Sequence, residues 1–255
     1  MTNETKVAVV TGGATGIGRA SAVKLAENGY NSLVIADWNK DEGENTASIC
    51  REKGADAHYF YVDMGKEKEV EAMVAFTVEK FGKIDFFFNN HGVLHMPAHF
   101  DEITEEMVDY TLNTNLKGAF FGMKHALKVM KKQNYGHLVN TCSTNSFRHE
   151  GGFSVYTASK HGLAGLTKAA AMEYGVYNIK VNAVCPGSTL TPMVMAVGEW
   201  FQTHQDFRST SPGNLARIEG MAMPEEVAAM VVLLATYPDL HITGSLIRMD
   251  QGLGL

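Results

Sequence analysis

Val-Ala-Val-Val-Thr-Gly-Gly-Ala-Thr-Gly-Ile-Gly, the stretch from Val7 to Gly18, joins a short apolar run to a glycine-rich turn. The apolar residues 7–10 predict a buried strand, and the pattern from Arg19 to Asn28 predicts a helix. Glycines at such a turn let the backbone approach a pyrophosphate, and the N-terminus of the next helix offers unpaired N–H groups and a positive dipole end. The stretch therefore predicts the start of a dinucleotide-binding α/β fold.

The rest of the chain alternates strand-like and helix-like segments, which is typical of a parallel sheet covered by helices. Further strands are predicted at 32–36, 57–62, 84–88, 137–142, 179–184 and 245–249. Helices are predicted at 40–53, 66–81 and 105–131, and from the region of residue 156 to about residue 174. Because no linker or repeat interrupts this alternation, we expect residues 1–255 to form one domain.

Asp37 follows the second predicted strand, about 20 residues beyond the glycines. An acidic side chain at this place accepts hydrogen bonds from the ribose diol of an adenosine. A 2′-phosphate would meet that carboxylate with no compensating cation, because none of Gly13, Ala14 and Trp38 is basic. The sequence thus predicts NAD and not NADP, the alternative being that Asp37 is a turn residue at a strand end.

Tyr156 and Lys160 stand four residues apart in a predicted helix, so they lie on one face of it. A positive charge about 4 Å from a phenolate, at an effective dielectric of about 20, stabilises it by roughly 4 kcal/mol. That energy lowers a phenol pKa by about two to three units. Ser143 ends a predicted strand, where open α/β sheets face their ligands. We therefore predict that Tyr156 is a base activated by Lys160 and that Ser143 holds the reacting oxygen, although this Tyr–Lys spacing also occurs in ordinary helix-face pairs.

The composition indicates a protein that handles small molecules. The chain has 255 residues, of which 45% are hydrophobic, and a net charge of −6 with scattered signs, which argues against a nucleic-acid partner. No apolar run is long enough to cross a bilayer and the N-terminus lacks the plan of a signal peptide, so we expect a cytoplasmic protein without a membrane partner. Cys50, Cys142 and Cys185 have neither metal-ligand spacing nor an even count, and we expect them to be reduced.

Taken together, these residues resemble the short-chain dehydrogenase/reductase family, and the likeness covers nearly the whole chain. The matching motifs are Thr11-Gly-x-x-x-Gly16-x-Gly18, Asn89-Asn90-x-Gly92, Asn115, Ser143, Tyr156-x-x-x-Lys160 and Pro186-Gly187. The resemblance implies a single-domain Rossmann-type doubly wound sheet of seven parallel strands in the order 3-2-1-4-5-6-7, with helices on both faces. It also implies reversible hydride transfer between NAD and a small-molecule substrate, and a homotetramer.

The resemblance assigns roles to four catalytic residues. It implies that Tyr156 is the general acid/base and that Lys160 lowers the pKa of Tyr156 and binds the nicotinamide ribose. Ser143 would orient the substrate oxygen, and Asn115 would hold a water that links Lys160 to solvent.

The predicted cofactor-binding residues lie on the glycine turn and after the strands. They are Gly12, Thr15, Gly16, Ile17, Gly18, Asp37, Asp63, Asn90, Gly92, Tyr156, Lys160, Pro186, Gly187, Thr189 and Thr191. Asp63, after the third predicted strand, is expected at the adenine, and Thr191 matches the family residue that anchors the nicotinamide carboxamide.

His91 departs from the family pattern, which usually has Ala at this position. Its ring either contacts substrate or a cofactor phosphate, or points into the packing at the end of the sheet. His91, His95 and His99 are spaced as metal ligands on a helix are, but Gly92 and Pro97 interrupt any helix there. We therefore predict no metal site.

The segment at about 190–221 follows the sixth predicted strand, where the resemblance places a substrate lid. Its large apolar residues include Met193, Met195, Trp200 and Phe201. Thioethers and aromatic rings suit a bulky apolar substrate, such as a hydroxysteroid or another cyclic alcohol, and equally suit a buried helix face or a subunit contact. The predicted substrate-binding residues are Ser143, His149, Tyr156 and Met193.

Other functions remain open on the same fold. A 3-oxoacyl-[acyl-carrier-protein] reductase usually prefers NADP and a cationic docking patch, which Asp37 and the negative net charge disfavour. A small diol or sugar-alcohol dehydrogenase is a second alternative. A non-catalytic dinucleotide sensor is a third, and the presence of Ser143, Tyr156 and Lys160 disfavours it.

Apolar residues on two helices predict the subunit contacts of the homotetramer. Those expected on the outer faces are Ala119, Phe120, Phe121, Leu163 and Leu166. The apolar C-terminal residues 253–255 are expected to be buried between subunits as well.

Overall fold

Seven parallel strands make one sheet in the order β3-β2-β1-β4-β5-β6-β7 in the computed structural model, which describes residues 5–207, 220–237 and 241–252. The strands are β1 (Val7–Thr11), β2 (Ser32–Asp37), β3 (Asp56–Tyr61), β4 (Phe86–Asn89), β5 (Gly136–Thr141), β6 (Ile179–Pro186) and β7 (Leu246–Met249). The predicted strand order is confirmed, and the predicted strand ends differ from the observed ones by two residues at most.

Helices connect the strands and cover both faces of the sheet. They are α1 (Gly16–Glu27), α2 (Lys40–Glu52), α3 (Glu67–Phe81), α4 (Glu105–Leu112), α5 (Ala119–Gln133), α6 (Ser154–Tyr174), α7 (Pro192–Thr203) and α8 (Pro224–Thr236). Among the residues that the structure describes, no helix has both the length and the apolar character needed to cross a membrane.

Strands buried on both faces explain the continuous apolar runs of the sequence. Alternate side chains of β4 enter different cores: Phe87 packs with Val9 of β1 on one face, and Phe86 packs with Val10 on the other. A run such as residues 86–88 therefore reads as uniformly hydrophobic because each side of the strand is covered.

Strand β1 lies at the point where the strand order reverses. Val9 of β1 pairs with Val34 of β2 on one side and with Phe87 of β4 on the other. Helices leave β1 and β4 in opposite directions across the sheet, so a crevice opens at the carboxyl ends of these strands.

The predicted continuous helix at 105–131 is wrong, because a π turn at Asn113–Gly118 separates α4 from α5. The side chain of Asn115 inside this turn bonds the backbone of Val93 instead of facing solvent. Gly118 passes so close to the loop after β3 that a Cβ on it would lie 2.8 Å from the Met64 carbonyl oxygen. These contacts reshape the helix locally, as π turns do at functional sites.

Two residues expected on outer helix faces belong to the core of the single chain. Ala119 and Leu163 are buried among the side chains beneath the sheet, so that part of the prediction is wrong. Phe120 is 48% exposed, as expected, whereas Phe121 and Leu166 are half-buried against the core. The predicted contact at residues 253–255 lies outside the described residues.

Candidate active site

One cleft of about 250 Å³ lies at the carboxyl edge of the sheet and collects most of the predicted site residues. Those that line it are Gly12, Thr15, Gly16, Ile17, Asp37, Asn90, Gly92, Ser143, Tyr156, Lys160, Pro186, Gly187, Thr189, Thr191 and Met193. Residues far apart in the chain thus meet on one surface.

Four predicted site residues do not line this cleft. Gly18 lies beneath the glycine turn, and Asp63 lines a smaller pocket next to the cleft. Asn115 is buried behind the cleft wall, whereas His149 is exposed to solvent.

The glycine turn has no room for side chains. A Cβ on Gly18 would lie 1.9 Å from the carbonyl oxygen of Gly12, and a Cβ on Gly12 would lie 2.7 Å from the Cα of His91. Gly12 and Gly16 have φ angles of +61° and +53°, which glycine adopts without strain. No side chain caps the N-terminus of α1 at Thr15, so N–H groups there are available to an anion. The turn fits the pyrophosphate of a dinucleotide.

Asp37 presents its carboxylate at one end of the cleft. Its two oxygens accept hydrogen bonds from the backbone N–H groups of Ala14 at 3.0 Å and Asn39 at 2.9 Å. Each oxygen retains acceptor capacity, so the carboxylate is oriented and still able to bind a ribose diol. Beside it, the half-exposed Trp38 ring stacks on the Tyr110 ring with centroids 6.5 Å apart.

Sequence reasoning missed a cation beside this end of the cleft. Arg19 donates hydrogen bonds to the carbonyl oxygen of Ala14 and, at 2.9 Å, to the hydroxyl of Thr46, and it pairs with Glu42. The same Arg19 lowers the pKa of Glu42. Residues 13, 14 and 38 carry no cation, and Arg19 reaches the turn instead from the first turn of α1.

Tyr156, Ser143 and Lys160 meet at the other end of the cleft. Lys160 is 3% exposed, its ammonium lies 5.5 Å from the Tyr156 ring centroid, and it donates to the Thr141 carbonyl oxygen at 2.7 Å. The Ser143 side chain hydrogen-bonds the phenol of Tyr156. The structure therefore brings the three predicted side chains together. It adds the carbonyl of Thr141, and the sequence signal for this residue is its position at the end of β5.

The protonation of these groups differs from the prediction. Burial raises the pKa of Tyr156 to about 12, and the hydrogen bond with Ser143 only partly opposes this effect. Burial also lowers the pKa of Lys160. In the chain by itself the pKa of Tyr156 is therefore raised, whereas Lys160 was expected to lower it. The Lys160 ammonium is directed at the Thr141 carbonyl oxygen. The phenol is held in its acid form.

Asn115 acts on the wall of the site through the π turn. Its side chain is 1% exposed, accepts a hydrogen bond from Val93 N–H at 2.7 Å and donates to Val93 oxygen at 2.8 Å. Its amide also lies 3.3 Å from the Ser159 hydroxyl. A Cβ on Gly92 would be 3.4 Å from the Asn115 side chain and 3.6 Å from the Lys160 ammonium, so this backbone lies close to both.

The segment after β6 contributes little aromatic surface to the cleft. Met193 and Val194 line it, but the aromatic residues of α7 pack on each other. Trp200 lies 5.2 Å from Phe201 and 5.3 Å from Phe207, measured between ring centroids. Residues 208–219 of the predicted lid lie outside the described residues.

The three histidines considered as metal ligands point to different partners. The ring of His91 bonds Thr11 and the backbone of Thr114, that of His95 bonds its neighbouring backbone, and that of His99 stacks on Phe207. Throughout the described ranges, no group of three or more His, Cys, Asp or Glu side chains is arranged to hold a metal ion.

A family model described as short chain dehydrogenase matches residues 6–202. Levodione reductase from Leifsonia aquatica is 34% identical to this chain over 255 residues, covering 97% of this chain and 93% of the relative. A crystal structure of levodione reductase superposes with a TM-score of 0.89 at 33% identity, covering 98% of this chain and 97% of the other.

Two further solved structures resemble this one and differ in their cofactor. A variant of actinorhodin polyketide ketoreductase with NADPH gives a TM-score of 0.89 at 31% identity, covering 99% of this chain and 98% of the other. A 3-ketoacyl-(acyl-carrier-protein) reductase from Brucella melitensis, complexed with NADH, gives 0.87 at 26% identity and full coverage of both chains. The shared fold thus accommodates both nicotinamide dinucleotides.

Proposed function

The chain belongs to the short-chain dehydrogenase/reductase family, and on that premise we propose that it transfers a hydride between NAD(H) and a secondary alcohol or ketone. The observation that carries the proposal is the meeting of Ser143, Tyr156 and Lys160 in one cleft with the glycine turn and Asp37. A cofactor and a reacting oxygen would then lie side by side.

The four predicted catalytic residues have distinct parts in the reaction. NAD, when bound, supplies the hydride acceptor. In oxidation, the phenolate of Tyr156 takes the proton of the alcohol while Ser143 holds the substrate oxygen. In reduction, the phenol of Tyr156 donates the proton to the developing alkoxide. Lys160 contributes positive charge and a ribose contact, and Asn115 orders the loop beside the ammonium.

The preference for NAD is supported by Asp37. Its carboxylate would accept bonds from both ribose hydroxyls and would repel a 2′-phosphate. Pairing of Arg19 with Glu42 supports the same preference, because it neutralises a cation close to the glycine turn. Substitution of Asp37 by Ser should raise the ratio of kcat/KM for NADP to that for NAD by about 10- to 100-fold, equivalent to about 1.4–2.8 kcal/mol. An unchanged ratio in D37S would contradict the role of Asp37.

The substrate is proposed to be bulky and apolar or cyclic. Support comes from Met193 and Val194 on the cleft wall and from the likeness to levodione reductase. His149, which was also expected to bind substrate, is exposed and does not line the cleft. A 3-oxoacyl thioester is the second candidate, because a 3-ketoacyl-(acyl-carrier-protein) reductase has the same fold.

A steady-state screen tests the proposal. NAD and NADP are compared in parallel with hydroxysteroids, cyclic alcohols, small diols and 3-hydroxyacyl thioesters. We expect turnover with NAD and a cyclic alcohol. A preference for thioesters or small diols would contradict the bulky substrate, and tight NAD binding without any turnover would favour a dinucleotide sensor.

Assembly as a homotetramer and a cytoplasmic location also belong to the proposal. Met172 and Val176, at the C-terminal end of α6 and just beyond it, are highly exposed apolar side chains, as expected for subunit contacts. Light scattering on the purified protein should give four times the mass of the 27.8 kDa chain.

A further inference from the structure

His91 stands where the family pattern usually has a small residue, and its ring connects two parts of the site. Its Nδ1 lies 2.9 Å from the hydroxyl of Thr11, and its Nε2 lies 3.1 Å from the carbonyl oxygen of Thr114. Thr11 ends β1 at the glycine turn, and Thr114 lies in the π turn. We call Thr11, His91 and Thr114 the His91 bridge.

The hydrogen-bond network selects one form of the imidazole. The carbonyl of Thr114 can only accept, so Nε2 carries a proton and donates it. The Thr11 hydroxyl oxygen already accepts from the Asn90 N–H at 3.0 Å, and it lies closer to Nδ1 of His91, at 2.9 Å, than to the Phe88 carbonyl oxygen, at 3.3 Å. Nδ1 is therefore the nearer acceptor for the hydroxyl proton. A neutral ring with the proton on Nε2 satisfies both bonds of the His91 bridge.

The surroundings are shaped to receive this ring. A Cβ on Gly118 would lie 3.1 Å from Nε2 of His91, so a side chain there would press on the ring. Burial, followed by the nearby Lys160 ammonium, lowers the pKa of His91 to about 3. The ring consequently carries no charge near neutral pH and is not suited to relay protons there.

The bridge connects a short loop to the π turn at two adjacent points. The ring of His91 bonds the backbone of Thr114, and the backbone of Val93 bonds the side chain of Asn115. Gly92, between His91 and Val93, is the residue whose backbone approaches the Lys160 ammonium. Loss of the His91 ring would remove one of these two connections between the loop and the π turn.

We propose that His91 is a positioning residue, which bonds the glycine turn to the π turn and thereby holds Asn115 and the loop beside Lys160 in place for hydride transfer. This inference deepens the proposed function and rests on it for its catalytic consequence. The positioning itself is a property of the chain and can be measured without a substrate.

The test compares H91A with H91Q. A glutamine amide can donate to the Thr114 carbonyl and accept from Thr11, whereas alanine can do neither. In H91A we expect faster hydrogen exchange in residues 113–118 and a kcat lower by about 10- to 100-fold, with the KM for NAD within about threefold of wild type. H91Q should restore both slow exchange and kcat.

H137A is the matched control. His137 is a buried histidine whose ring bonds the backbone carbonyl of Leu234 at 3.0 Å, and it lies at the start of β5, away from the site. It should change neither kcat nor exchange at 113–118. If H91A does not fold, H91L, which keeps bulk without the bonds, replaces it.

Unchanged exchange in H91A, or an H91Q protein as impaired as H91A, would overturn the inference. A wild-type chain that oxidises no alcohol would overturn only the proposed function, because the exchange measurement would still decide on His91.

Discussion

The glycine turn and α7 both contribute to the cleft, but their shapes arise in different ways. At the glycine turn, shape comes from the backbone: Gly18 has a neighbouring carbonyl where a Cβ would be. In α7, shape comes from side chains that pack on each other, and Gly198 has no atom within 4 Å of its would-be Cβ. Where the backbone itself shapes a site, particular residues such as glycine are required. A segment shaped by packed aromatic side chains can be formed by many different sequences. This is why the reaction is easier to infer from this sequence than the substrate.

Substitution of Tyr156 should give the largest effect, because the proposed mechanism assigns the proton transfer to this residue alone. Y156F should lower kcat by at least about 10³-fold, since the proton has no other route, while the Kd for NAD stays within about threefold. Turnover and fluorescence titration measure the two quantities. Y61F is the control, because Tyr61 is exposed on the outer strand β3. A Y156F protein with near-normal kcat would contradict the assignment.

The contrast between the glycine turn and α7 is tested directly by G18A and G198A. A methyl group at Gly18 would lie 1.9 Å from a backbone oxygen, so the turn must open, and we expect the Kd for NAD to rise by about 100-fold or more. At Gly198 there is room, and alanine should stabilise α7 by about 1 kcal/mol with unchanged NAD binding. Calorimetric titration and thermal unfolding compare the variants, and equal effects would refute the contrast.

The pH dependence of the reaction tests the charge state of the catalytic end. With a Tyr156 pKa of about 12, the phenolate fraction rises about tenfold per pH unit between pH 7 and 10, and kcat/KM for oxidation should rise with it. Reduction uses the phenol and should stay flat over this range. Initial rates in both directions give the profiles. A plateau for oxidation below pH 8 would show that Lys160 and bound NAD outweigh burial.

Loss of an aromatic side chain beside α7 should show the smallest effect. Phe207 packs on Trp200 and stacks on His99, with ring centroids 4.6 Å apart for the second pair, so it connects α7 to the loop before α4. In F207A we expect the KM for the alcohol to rise by about 3- to 10-fold because this contact is lost, with the KM for NAD unchanged. F81L, at the end of α3, is a distant control. An altered KM for NAD alone would contradict this division of the cleft.

Much of the fold was predictable because its signals are local. Apolar runs indicated the strands, and the glycine turn and Asp37 lie in one βαβ unit. The π turn was not predictable, because it depends on the bond between Asn115 and Val93, which are distant in sequence. The same holds for the pairing of Arg19 with Glu42.

At the candidate site, the residue types were easier to predict than their surroundings. The Tyr156–Lys160 spacing placed both groups on one helix face, and the structure brings Ser143 to them. Burial of the phenol comes from tertiary packing, and it raises the pKa of Tyr156, opposite to the expected direction. Substrate contacts were least predictable, because Trp200 packs within its own segment.

The central place of β1 has a consequence for how the protein is made. Its partner β2 follows after one helix, whereas its other partner, β4, is synthesised only after α2, β3 and α3. During translation the half that carries the glycine turn and Asp37 can therefore assemble while the other edge of β1 is still unpaired. That edge presents unpaired backbone N–H and C=O groups beside apolar side chains until β4 has been synthesised, so we expect the nascent chain to depend on chaperones most strongly during that interval.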